Sequence, residues 1–224
     1  MKKNVTLILV TFFSAFVINA QSGDVNLTGL YSPMTITSLS SSSKKIEGSS
    51  YIKEDFEVTK LAENKKTFFL RYNAYKDEME IKKDGEAYYL SRFYDFPITF
   101  LNLNIVYNIY DYNEGKGLKT GYFVELERGN KISLLLKQEI KFYEETKAKT
   151  GYGTSKPPKL ERQKDRLFYS VENNIAKELP RKKKEILKLF KGKEKEIESF
   201  SKKNSLSCKE EKDLVKIFNY YNSL

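Results

Sequence analysis

The run TFFLRYNAYKDEMEIKKDGEAYYL, residues 67–90, decides the reading of this chain. Side chains on a strand alternate between two faces, and residues facing each other across a hairpin have position numbers with a constant sum. Asp84-Gly85 is a two-residue turn that accepts positive φ at both positions. It places Met79 opposite Leu90, Ile81 opposite Tyr88 and Glu80 opposite Tyr89. Upstream, Phe68, Leu70 and Tyr72 are apolar at even positions whereas Met79 and Ile81 are odd, so the apolar phase slips once between Tyr72 and Met79. A second hairpin absorbs the slip by pairing Tyr72 with Met79, Leu70 with Ile81 and Arg71 with Glu80, leaving Ala74, Tyr75, Lys76 and Asp77 as its loop. The alternative is one long strand with a β-bulge near Asn73. Both keep the same apolar face.

Working outward, Tyr51 to Val58 adds an edge strand to this meander. Further upstream, residues 21–48 are Ser-rich, with Ser40 to Ser43 followed by Lys44-Lys45, and read as a flexible segment. A single strand interrupted by Pro33 is possible within Asn26 to Thr37. Downstream, Leu101, Leu103, Ile105, Tyr107 and Ile109 alternate with more polar positions and read as one strand. A turn at Asn113 to Gly117 follows, then a return strand with Tyr122, Val124 and Leu126. A three-residue loop at Arg128-Gly129-Asn130 pairs Leu126 with Ile132 and Val124 with Leu134, and the even-position pattern runs on through Ile140 and Phe142. The pattern lapses over residues 144–165, a loop long enough to be a contact surface or disordered. Leu167, Tyr169 and Val171 form a last hairpin with Ile175 and Leu179.

From Pro180 the period changes toward 3.6. Ile186, Leu187, Leu189 and Phe190 form one helical face ended by Gly192, and Ile197 and Phe200 a second, ended near Asn204. Ser207 with Glu210 forms a capping box that opens a third helix and puts Cys208 at its first position. Helices with so few apolar residues are marginal alone and must pack on the sheet or on each other. The expected architecture is α+β. Antiparallel meanders over 49–179 form a sandwich or a strongly curved sheet, and a short helical module over 180–224 packs on them.

At 224 residues and 40% hydrophobic content the chain can bury one sizeable core. Residues 1–20 read as an export signal: Lys2 and Lys3, an apolar run from Val5 to Ile18, then Ala20 before the cleavage point. The lone cysteine, Cys208, is far from that point, which argues against a lipoprotein anchor, and no later run is long enough to span a bilayer. The expectation is a soluble exported protein, periplasmic or secreted.

The net charge is +10, and residues 181–203 carry ten basic against four acidic residues. Arg181-Lys182-Lys183-Lys184, continued by Lys188, Lys191, Lys193 and Lys195, suits an anionic envelope component, unless it is simply a solvated helix face. Aromatic residues are not interleaved as a nucleic-acid stacking platform requires. The chain contains no histidine, which removes Ser-His-Asp and Cys-His nucleophiles and the usual zinc sites. A thiolate at Cys208 would be favoured by a helix N-terminus but has no base. Arg71, Glu78, Glu80 and Tyr89 share the polar face of the opening meander. They could form a carboxylate acid/base pair or a cation-binding site, or only cross-strand ion pairs on a half-exposed face, worth roughly 0.2–1 kcal/mol. No catalytic residue, metal ligand or cofactor is assigned.

The Ala20-Gln21 junction, the Leu70 to Tyr75 and Asp77 to Glu80 runs, the Tyr122 to Leu126 strand and the closing Tyr220-Tyr221-Asn222-Ser223-Leu224 together resemble a group of uncharacterised exported proteins common in Bacteroidota. The resemblance covers most of the chain after residue 20 and implies no activity, cofactor or catalytic residue. The expected role is therefore non-enzymatic: structural, binding or envelope-associated. The alternatives are a carboxylate-based hydrolase on the Glu78/Glu80 face and anionic-surface binding through the Lys-rich helices.

Overall fold

The computed structural model describes residues 31–33, 46–62, 66–92, 96–115, 117–146, 156–172 and 175–224. Residues 1–20, read above as an export signal, the Ser40 to Ser43 run and the Gly151 to Ser155 stretch lie outside them. Thirteen strands are β1 (Tyr31–Pro33), β2 (Glu57–Leu61), β3 (Thr67–Asn73), β4 (Glu78–Lys83), β5 (Glu86–Leu90), β6 (Ile98–Phe100), β7 (Ile105–Asn113), β8 (Leu118–Glu127), β9 (Ile132–Lys137), β10 (Ile140–Tyr143), β11 (Lys159–Arg162), β12 (Arg166–Val171) and β13 (Lys177–Glu178). Three helices follow, α1 (Lys183–Leu187), α2 (Glu194–Lys203) and α3 (Glu211–Ser223). The class is α+β, as the alternation of the strands and the change of period after Pro180 predict.

The opening meander has the register its sequence dictates. Tyr72 faces Met79, Leu70 faces Ile81 and Arg71 faces Glu80. Ile81 faces Tyr88 and Glu80 faces Tyr89. The phase slip is resolved by the four-residue loop, not by a bulge: Asn73 pairs with Glu78, and Asp77 turns the chain at φ 56°. Leu70, Tyr72, Met79, Ile81 and Leu90 are buried on one face.

All but two strands join one eleven-stranded sheet, ordered β1-β5-β4-β3-β2-β6-β7-β8-β9-β12-β13, with β10 and β11 as a separate ribbon. Its curvature follows from Tyr72 and Tyr122. They sit on β3 and β8, four strand spacings apart, or about 19 Å in a flat sheet. Their ring centroids are 6.1 Å apart. The sheet therefore folds over on itself, and Leu70, Met79 and Ile81 share a core with Tyr107, Tyr122, Val124 and Leu136. The second half also closes locally. β13 pairs with β12, while the Ala176 N–H donates to the Asp111 carbonyl at 2.7 Å and bridges back to β7. Tyr110, Tyr112, Phe123, Leu135, Phe168 and Ala176 fill this turn of sheet. Every residue of β9 is buried because both of its faces are covered. Strands buried on both sides read as continuous apolar runs.

The helices close the remaining face of β9. Ile186, Phe190, Ile197, Leu214, Ile217 and Phe218 pack with Ile132, Leu134 and Leu179. Among the described residues no helix is long and apolar enough to cross a membrane.

Several expectations are corrected. β2 is interior, flanked by β3 and β6, and starts at Glu57; Tyr51 instead makes an isolated bridge to Asn73. The edge strand on this side of the sheet is β1, within the segment read as flexible, a position where proline is tolerated. Leu101 to Asn104 is a turn with Asn104 at φ 51°, joining the unforeseen β6 to β7, and Leu101 is exposed. Residues 159–162 of the supposed loop form β11. The β8–β9 register is shifted: Val124 faces Leu136, Glu125 faces Leu135, and a bulge precedes the Glu127–Leu134 pair. Its cause lies in α3. The Asn222 side-chain oxygen accepts the Ile132 N–H at 3.2 Å and its amide donates to the Ile132 carbonyl at 2.9 Å, occupying the place of a strand partner. Gly129 makes room for it, since a Cβ there would stand 1.9 Å from the Asn222 amide nitrogen. Finally, α3 begins at Glu211, after a turn over Ser207 to Glu210; the Ser207 N–H donates to Asp213 Oδ2 at 2.9 Å, and Cys208 is not a first-turn residue.

Candidate functional site

The polar face of the opening meander is covered around Arg71, Asn73 and Glu80, while Phe69 and Lys82 on the same face stay exposed. Residues 51–56 lie over it and lay Tyr51 and Phe56 against the Arg71 guanidinium, 3.8 Å and 4.3 Å from its carbon to the two ring centroids. Beneath it Glu80 is 0% exposed. Arg71 Nε donates to Glu80 Oε2 at 2.8 Å, and Oε1 accepts from Asn73 Nδ2 at 3.0 Å and from the Tyr51 hydroxyl at 3.2 Å. Arg71 also donates to the Tyr51 hydroxyl at 2.8 Å and to the Glu54 carbonyl at 3.0 Å. A buried carboxylate with a cation and two further donors is a satisfied structural ion pair. The expectation of a half-exposed ion pair is corrected, because a covering segment distant in sequence removes the solvent.

Glu78 does not join Glu80 in a carboxylate pair. It is held by Arg92 at 3.1 Å, and burial raises its pKa from the ordinary value against the lowering effect of that guanidinium. Each carboxylate thus has its own cation. The Tyr89 hydroxyl accepts from Lys76 Nζ at 2.8 Å. Arg71, Glu80 and the neighbouring Asn73 are therefore one cluster, whereas Glu78 and Tyr89 are engaged elsewhere.

A second polar cluster was not foreseen. Asp77, at the tip of the first hairpin loop, meets Lys137 at the end of β9, with Nζ 2.8 Å from Oδ1. The Tyr72 hydroxyl at 2.6 Å and the Tyr122 N–H at 3.2 Å donate to the same oxygen. Lys137 also donates to the Tyr122 carbonyl at 2.9 Å and lies over the Phe123 ring at 4.9 Å. Burial holds the Lys137 ammonium below its usual pKa, with Asp77 opposing that shift, and burial followed by Asp77 raises the Tyr72 phenol well above its own. Gly121 is the cradle for this pair: a Cβ there would stand 2.3 Å from Asp77 Oδ2 and 2.7 Å from Lys137 Nζ. Arg92 donates to the Asp77 carbonyl and, at 2.9 Å, to that of Thr120. The Tyr122 hydroxyl is buried without a partner among the described residues. The one signal in the sequence is a lysine closing the mostly apolar run Ile132-Ser133-Leu134-Leu135-Leu136. The cluster fastens the first hairpin onto the second half of the sheet.

Lys182, Lys183 and Lys184 stand apart from both clusters, on the helical module, and all three are exposed. Lys183 approaches Glu198 at 3.6 Å, and the other two have no acidic partner among the described residues. Cys208 lines a mixed-charge cleft of about 770 Å³ with Arg166, Arg181, Glu178 and Lys209. Burial pushes its thiol pKa up, opposite to the shift an activated thiolate needs. Comparison with protein-family models, curated proteins and solved structures gave no match to this chain.

Proposed function

We propose that this chain is an exported, non-enzymatic protein with a structural or binding role at the cell envelope. The observation that carries the reading is the fate of the most conspicuous polar residues. Glu80 is enclosed by Arg71, Asn73 and Tyr51, and Glu78 is neutralised by Arg92. These groups hold strands and the covering segment together and leave no exposed carboxylate pair to activate water. The leader-like residues 1–20 and the resemblance to exported proteins support an envelope location.

The competing reading, a carboxylate-based hydrolase, makes the opposite prediction for Glu80→Gln. A catalytic carboxylate would be lost with the fold intact. The structural role predicts instead a loss of about 3 kcal/mol or more, because Arg71 is left as a partly buried, uncompensated charge. Urea unfolding of Glu80→Gln, alongside an ester and glycan hydrolysis panel, separates the two. Wild-type stability with abolished hydrolysis would overturn the proposal. Export is tested by fractionating cells and reading the N-terminus, which is expected at Gln21.

A further inference from the structure

The geometry points to the exposed basic segment over residues 181–195 as a contact surface for anionic lipid headgroups. This deepens the envelope-binding reading and rests on it. Ile186 and Phe190, 1% and 0% exposed, pin the segment to the core, so its lysines are displayed on an ordered base and not on a loose tail. Lys183 pairs with Glu198 at 3.6 Å and Lys193 with Glu196 at 2.8 Å. Arg181, Lys182, Lys184, Lys188, Lys191 and Lys195 are exposed and have no acidic partner among the described residues, against Glu185 and Glu194 as the acids of the segment.

The composition of the segment selects the partner. Five of those six unpaired cations are lysines, compact charges without the planar fork that reads one phosphate bidentately, which suits a field of laterally mobile headgroups. No ring is offered for base stacking: Phe190 is buried and Phe200 stacks on Tyr220 with centroids 3.8 Å apart. Neither ring offers an apolar wedge, so the contact is peripheral and electrostatic. It must weaken with salt, since exposed charges are screened within about 8 Å at physiological ionic strength.

The test is co-sedimentation of the full chain with phosphatidylcholine vesicles with and without phosphatidylglycerol, the neutral vesicles giving the background from residues 1–20. Added phosphatidylglycerol is expected to increase binding, and rising sodium chloride to reverse the increase. Replacing Lys184, Lys188 and Lys191 with Gln is expected to cut the anionic-lipid increment about a hundred-fold, at roughly five-fold per lysine near the surface. Replacing the same three with Arg is expected to preserve it, and matching circular dichroism in all three proteins establishes that the fold is kept. No increment with phosphatidylglycerol, or an increment unchanged in the Gln variant, would overturn the proposal. So would preferential capture by duplex DNA, or release by inorganic phosphate beyond that by chloride at equal ionic strength, which would mark a polyanion or a discrete phosphate site instead. If vesicle binding holds while fractionation places the protein in the cytoplasm, the surface stands and the envelope location falls.

Discussion

Glu80 and Tyr72 are both polar side chains enclosed by residues far away in sequence, Tyr51 over Glu80 and Tyr122 beside Tyr72. Glu80 is hydrogen-bonded by Arg71, and the pKa values of the Tyr72, Tyr107 and Tyr122 phenols are raised chiefly by burial. For an acid whose folded pKa exceeds its unfolded value, the folded state holds the proton longer. Its stabilising contribution is complete below about pH 10 and is lost as pH rises through and beyond that value. Urea midpoints are therefore expected to fall steeply above about pH 10, and Tyr72→Phe is expected to flatten part of that fall. Lys137 acts oppositely in a lower window: its folded pKa is depressed, so its contribution improves as pH rises toward the unfolded value near 10.5. Such shifts are not legible in a sequence, because they depend on burial. What was legible was only that Arg71 and Glu80 face one another.

Among the elements, hairpins of adjacent strands were readable and distant pairings were not. Asp84-Gly85 and the Ala74 to Asp77 loop set their registers locally, through turn length and apolar phase. The same arithmetic failed at β8–β9, where the register answers to Asn222, ninety residues away. It also could not find that β9 pairs with β12 across the intervening ribbon. The Asn222 contact makes a specific expectation. Asn222→Ala leaves the Ile132 N–H and carbonyl unpaired at the bulge and is expected to cost about 1–3 kcal/mol, read as a lower urea midpoint. Gly129→Ala, which forces a Cβ into the same amide, is expected to be at least as damaging, and an unchanged midpoint in both variants would remove Asn222 as the cause of the shifted register.

At the scale of the whole molecule, the described residues form one eleven-stranded sheet folded over itself, with the β10–β11 ribbon beside it and helices closing its second half. The sandwich-or-curved-sheet alternative was open in the sequence because two meanders give the same alternation whether they form two sheets or one. β2 and β6 decide it by joining the halves edge to edge. The fold-over is fastened where Asp77, from the first meander, reaches Lys137, from the second. The most direct test is a double-mutant cycle in urea between Asp77→Asn and Lys137→Met. Two groups in contact inside a folded-over sheet should couple by about 1 kcal/mol or more, whereas distant sites add to within about 0.5 kcal/mol. The double variant is therefore expected to be clearly more stable than the sum of the single losses implies. Strict additivity would contradict the fold-over and the placement of every polar cluster that depends on it.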